Sequence, residues 1–386
     1  MTDKEKIRKA LAPLRASDTV VQEVLEMAER KNTHTIKKSS RTILIAAAAA
    51  VLLLGTALAV TYSSWSPGLL DRLNLTEEEA AALEETELVS RPLASDTHDG
   101  VTVSVEQSVA DGNVALIALR VEGLEVPEGQ CPVWGEPQLT LDGEPEENWS
   151  IIAYNDLTWD GQSFVYSDGT EAKQTEEGVP IPRYMREDGF VEIDIDIEPG
   201  ENETDSLVGR TVSLRIDRLG IAPVTVGYVP EQERTYTAEG PWILTWTLEG
   251  NEISRTWTLN EPLGDTGAAV MDVTLSALSV HIDYDYPLQM IDEIAFDQDG
   301  NMVTVQIVRE PPILSKIVMK DGEEYSGVLG GGTFGYADDD ETVYRIDMTL
   351  NRIIDPDEIA ALVFREVGIG DEPESARAMY TVTLPD

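Results

Sequence analysis

Cysteine is nearly absent from this sequence, histidine is scarce and basic charge is thin. The 386 residues hold one cysteine, Cys131, and three histidines, His34, His98 and His281. A lone thiol excludes a disulfide framework, and so few side chains supply no thiolate or imidazole cluster for a structural zinc. The chain has no G-x-S-x-G elbow, which removes one common source of a serine nucleophile. Against 72 Asp and Glu stand only 28 Lys and Arg, a formal charge of −44. A field of that sign repels phosphate backbones and excludes nucleic acid as a partner. The sequence therefore predicts no catalytic residues, no cofactor, no metal site and no enzymatic activity.

What is present is unevenly distributed. Residues 1–41 hold ten Lys/Arg and six Asp/Glu, a net of +4, leaving 18 minus 66, or −48, for the remainder. Between these zones lies TILIAAAAAVLLLGTALAVTY, residues 42–62, with no charge and no proline. At ~1.5 Å per residue this run spans about 31 Å as a helix, close to the hydrocarbon thickness of a bilayer. Lys37, Lys38 and Arg41 precede it, and Tyr62 and Trp65 stand at its far end. The arrangement predicts a single membrane pass with a cytoplasmic N-terminus. A secretory signal has a shorter leader and a shorter apolar run. The triplet Ala57-Leu58-Ala59 keeps a cleaved signal as the alternative.

The basic segment 1–41 reads as two amphipathic helices separated by Pro13. Ile7, Ala10, Leu11 and Leu14 form one apolar stripe, and Val20, Val21, Val24, Leu25, Met27 and Ala28 form the other. Thr19 and Gln22 have capping-box spacing at the start of the second. Some 40 residues cannot bury two such faces in a core of their own. Ile7, Leu11, Leu14, Val20, Val21, Val24 and Leu25 are thus candidate anchors in a partner's groove, the alternative being a basic tail lying on anionic lipid.

Beyond the apolar run, Pro67 and Gly68 read as its terminators, and residues 77–88 as a short acidic stalk helix within a linker of 63–95. The period then changes to two. VTVSVEQSV, a turn at Asp111 to Asn113, and VALIALRVEG predict a β-hairpin. PQLTL, WSIIAY, FVEIDIDI, TVSLRID and WILTWTLEGNEISRTWTL continue the alternation, the last read as a hairpin turning at Gly250 and Asn251. With EPLGDTG as linker, the fold expected is mainly β: N-terminal helices, one transmembrane helix, then two extracellular immunoglobulin-like β-sandwiches over 96–260 and 261–386. In the second, DPDEIAALVF reads as a short helical turn. Asp194, Asp196 and Glu198 are expected on a wet sheet face, where they would protect an edge.

Other constellations are weaker. Asp297 to Asn301 has a calcium-loop look, but position 12 is Val308 and the flanks read as strands, so a hairpin turn is expected. The run Asp338 to Glu341 reads as solvated carboxylates. Trp242, Trp246 and Trp257 are expected in cores, while Trp134, Trp149 and Trp159 are candidates for an exposed stacking platform.

The N-terminal pattern IRKAL…ASDTVVQEVLEMAER, the apolar run, and DGVTVSVEQSVADGNVALIALRVEG together resemble the Gram-positive single-pass family known as domain of unknown function 4179. That resemblance implies a membrane anti-sigma-factor-like protein whose cytoplasmic segment holds an extracytoplasmic-function sigma factor and whose outer part meets an unknown ligand. Segment 1–41 contains His34 and no cysteine, which sets it apart from zinc-binding anti-sigma factors. The alternative reading is a membrane-anchored envelope-binding or adhesion protein.

Overall fold

The computed structural model describes residues 65–385, apart from 84–87, 176, 187, 199–205, 226, 228, 297–301, 339 and 368–376. The chain divides into two compact units, one of residues 1–65 with 77–85, the other of 66–76 with 86–386. Of the first, the described part is Trp65 and the helix Glu77–Leu83. That helix falls within the expected stalk but is shorter, since Leu88 already leads into the strand Val89–Ser90.

The second unit is mainly β, built from several antiparallel sheets. Its first core lies between two of them. One sheet runs in the order Val89–Ser90, Val101–Ala110, Ala115–Glu122, Val191–Ile197 and Trp149–Ala153, with Ser95–His98 also paired to Val101–Ala110. The other runs Thr235–Thr247, Thr211–Pro223, Gln138–Leu141 and Glu144–Pro145, with Gln130–Gly135 also on Thr211–Pro223. Val103, Ile117, Leu119, Ile193 and Ile195 from the first sheet share one apolar cluster with Leu214, Ile216, Trp242 and Leu244 from the second. The alternation in the sequence dictates this, because every second side chain of a strand points to one face. Strand Thr211–Pro223 pairs with Gln138–Leu141 through its first half and with Gln130–Gly135 through its second, and its register against Thr235–Thr247 shifts after Ile216 and after Leu219. At Gly220 a Cβ would collide with the backbone of Thr235 and Tyr236, so only glycine allows the strands to close there.

A second core follows the same logic. The sheet Ser254–Pro262, Ala269–Ser276, Ser279–Asp285, Val343–Leu350 and Leu329–Tyr336 shares an apolar cluster with the sheet Glu324–Ser326, Ile313–Met319, Ile359–Arg365 and Met379–Thr383. Val273, Ile282, Tyr284, Ile317, Leu362 and Phe364 fill it.

Several expectations change. Residues 242–259 do not form a hairpin: Thr235–Thr247 pairs with Thr211–Pro223 in the first core, while Ser254–Pro262 pairs with Ala269–Ser276 in the second. The changeover falls between Leu248 and Trp257, and EPLGDTG is the end of a strand plus the turn of the next hairpin rather than a linker. In DPDEIAALVF only Pro356–Glu358 is a 3-10 turn, and Ile359–Arg365 is a strand paired on both sides. Apolar runs buried on both faces look alike in a strand and a helix over so short a length.

The expected hairpin at Val101–Ala110 and Ala115–Glu122 forms, with a bulge at Glu106. Its turn does more than reverse the chain. Asp111 is fully buried. Its Oδ1 accepts from the Asn113 and Val114 N–H groups, both at 2.8 Å, and its Oδ2 accepts from Ser276 Oγ at 2.6 Å and Leu278 N–H at 2.7 Å. The same carboxylate thus closes a turn of the first core and grips a turn of the second. Burial lifts its pKa above the usual carboxylate value, against the pull of these donors.

Candidate functional site

The seven anchors Ile7, Leu11, Leu14, Val20, Val21, Val24 and Leu25 lie outside the described residues, as do the expected span 42–62 and the loop 297–301. Among the described residues no helix is long and apolar enough to cross a membrane. Among them, too, no group of three or more His, Cys, Asp or Glu is placed to hold a metal ion. Asp338 turns its carboxylate back on its own loop, accepting from the Thr342 and Val343 N–H groups and Thr342 Oγ.

Of the tryptophans, Trp242, Trp246 and Trp257 are buried as expected. Trp134 and Trp149 pack half-buried against the first core and are not a platform. Trp159 is 55 % exposed, set edge-on against Phe164 with ring centroids 5.1 Å apart, on the two-stranded hairpin Leu157–Trp159 and Phe164–Tyr166. Cys131 is half-buried, and burial pushes its thiol pKa up, which makes it a poor nucleophile. His98 sits edge-on to Trp242 and beside Asp96.

The most chemically loaded surface is one that the sequence reading placed in water. Strand Val191–Ile197 is central, between Ala115–Glu122 and Trp149–Ala153, so Asp194 and Asp196, with Glu192 on the same face, guard no edge, and Glu198 stands half-buried just past the strand's end. Their face is covered by the helix Pro67–Arg72. Pro67 and Gly68, read as terminators of the apolar run, begin a helix of their own. Ser66 caps it by accepting from Leu69 N–H, and proline at the first helical position is pre-set for that start. Leu69 and Leu73 are buried beneath it.

The seat is polar throughout. Glu192, 0 % exposed, accepts from Ser66 Oγ, from Gly68 N–H at 2.8 Å and from Arg186 Nη1 at 2.8 Å. Arg186 also reaches Glu106 at 2.7 Å, and Arg120 lies 3.8 Å from Glu106. Ser66 N–H donates to Gln107 Oε1 at 2.9 Å, and Arg72 pairs with Asp196 at 2.5 Å. Tyr154 donates to Asp71 at 2.8 Å, and burial together with that carboxylate raises the phenol's pKa. A Cβ at Gly68 would collide with the carboxylates of Asp194 and Glu192, so glycine is what lets the helix approach so closely.

One member of the row is left over. Asp194 lies between Glu192 and Asp196, and among the described residues it has no arginine of its own and its Oδ1 no hydrogen-bond partner. Burial first, then the charges of Glu192 and Asp196, hold its pKa well above the usual carboxylate value, with Arg72 pulling the other way. Burial also lifts Glu192, Asp196 and, more distantly, Glu198. The signal available in sequence was Ser-Pro-Gly followed by LLDRL, a capped helix start with an apolar side.

The second unit also has a cleft of about 210 Å³ lined by Val126, Pro127, Tyr166, Lys173, Arg183 and Tyr184. Its cations are already engaged, Lys173 with Glu128 and Arg183 with Asp168. No family model matches the chain, and no curated protein matches it. Among solved structures it is similar to one titled the crystal structure of the conserved domain protein from Bacillus anthracis, at 13 % identity and a TM-score of 0.38, covering 77 % of this chain and 90 % of that one.

Proposed function

We propose that this chain is a single-pass membrane regulator of the domain-of-unknown-function 4179 type. Its cytoplasmic amphipathic helices sequester an extracytoplasmic-function sigma factor, and its acidic immunoglobulin-like sandwiches lie outside the cell. The observation that carries the reading is the change of character along the sequence: two unburied apolar stripes in a basic segment, an uncharged run of membrane length, then a strongly acidic β-rich body. Sequestration needs no catalytic chemistry, which suits a chain poor in histidine and cysteine. The docked helix Pro67–Arg72 supports it further, because it fastens the body to chain that begins only five residues past residue 62.

The test is capture of the full chain from its native membranes, beside a Val24→Asp, Leu25→Asp double variant. Recovery of a sigma factor with the unaltered chain and its loss from the variant is the expected result. Equal recovery from both, or none from either, overturns the reading. The exposed Trp159 and Phe164 pair favours envelope binding as the second reading. In that case Trp159→Ala reduces binding to isolated cell envelopes while the double variant leaves it unchanged.

A further inference from the structure

The covered acid row has an electrostatic imbalance that the rest of the fold does not resolve. Acting on Asp194 are Glu192 and Asp196 from its own strand and Arg72 from the helix Pro67–Arg72; around them stand Glu106 and Gln107 from Val101–Ala110, Arg120 from Ala115–Glu122, opposite Glu192 and 3.8 Å from Glu106, and Arg186 from the loop before the strand. Glu198 lies at the strand end, and Asp71 and Tyr154 bond to each other at the margin. Arg72 is spent on Asp196, and Arg186 is shared by Glu192 and Glu106. Among the described residues Asp194 keeps a buried oxygen with no donor. An ionised carboxylate so placed costs several kcal/mol, and its simplest relief is a proton, which also turns Asp194 into a donor toward Glu192.

Lifting the helix would return this row to water and remove both the burial and the need for the proton. We propose that segment 66–73 is a proton-dependent latch, seated on the 192–196 carboxylates while Asp194 holds a proton and released when that proton is lost. The direction follows from linkage. The seated state holds its carboxyl proton to higher pH than the open one, so seating strengthens as pH falls toward the ordinary carboxylate range and weakens as pH rises through the lifted pKa. For one proton the ratio of open to seated chains rises about tenfold per pH unit between the ordinary carboxylate pKa and the lifted one, and levels off above it. Under the proposed function this couples outside pH to the chain leaving the membrane. The latch itself does not depend on that function, and its test involves no cytosolic partner.

A nitroxide at Leu70→Cys in the full chain, with Cys131→Ser to leave one thiol, reports seating by its mobility between pH 5 and pH 9. A second label at Thr245→Cys, on an exposed strand position of the facing sheet, reports the integrity of the fold. The expected result is an immobile Leu70 label at low pH that becomes mobile on alkalinisation with a slope near one, while the Thr245 label stays unchanged. Asp194→Asn, neutral at every pH, should abolish the slope and keep the label immobile. A Leu70 label equally immobile across the range, one mobilised by acid, a slope that survives Asp194→Asn, or loosening of both labels together overturns the proposal.

Discussion

Replacing Asp111 by alanine is expected to uncouple the two cores, and the cost can be worked from its partners. Four donors converge on the carboxylate. Ser276 Oγ keeps Ser279 Oγ at 2.6 Å, and the Asn113 N–H is only part-buried, so neither is stranded. The N–H groups of Val114 and Leu278 belong to fully buried residues and lose their acceptor outright. At roughly 1–3 kcal/mol for each stranded group, less the relief of no longer burying a carboxylate, the net loss is about 3 kcal/mol. At roughly 2–4 °C per kcal/mol for units of this size, melting falls by about 6–12 °C. Circular dichroism of the full chain measures this, and tryptophan emission adds which core moves, because Trp242 and Trp246 lie in the first and Trp257 in the second. Two resolved transitions should replace one. Asp111→Asn retains one acceptor oxygen and should lose about half as much. A drop below about 2 °C for alanine, or a larger loss for asparagine than for alanine, refutes the account.

Two further outcomes follow from particular side chains. His281 lies 2.6 Å from Asp347 and 3.3 Å from Asp283. Burial alone would lower its pKa, but the two carboxylates outweigh burial and bring it up to about 9. Its contribution is thus full below the ordinary 6.5 and lost as pH rises through about 9, roughly 2–3 kcal/mol after allowance for partial exposure. Urea unfolding at pH 6 and pH 10 should show that difference in the unaltered chain and not in His281→Gln. Gly68→Val should unseat helix Pro67–Arg72 at every pH, because its side chain meets Glu192 and Asp194. Tryptic cleavage after Arg72 should then speed up at least tenfold, and an unchanged rate counts against the close approach.

The strands were legible in the sequence because a half-buried strand repeats every two residues, and Val101–Ala110, Ala115–Glu122 and Val191–Ile197 fall where that period places them. Strand partners were less so. Trp242 to Leu259 has the turn residues of a hairpin, yet its halves belong to different cores, since a Gly-Asn pair permits a reversal without requiring one. The turn at Asp111 was visible as a turn, but not its grip on Ser276 and Leu278, which stand more than 160 residues away in sequence.

The acid row exposes a limit of a different kind. Alternation in VEIDIDI sorts Glu192, Asp194 and Asp196 from Val191, Ile193, Ile195 and Ile197, and this sorting is correct. It assigns residues to a face and says nothing about what covers that face, and the usual inference from acid to water supplied the wrong cover. What reverses it is a six-residue helix with glycine at its second position, because only a chain without a Cβ there can lie on carboxylates at hydrogen-bond distance. A covered row with more carboxylates than arginines is a poor way to gain stability, since hydrophobic residues of similar volume would hold the helix at least as well. Its distinguishing property is that its strength varies with protonation, and an apolar seat could not provide that.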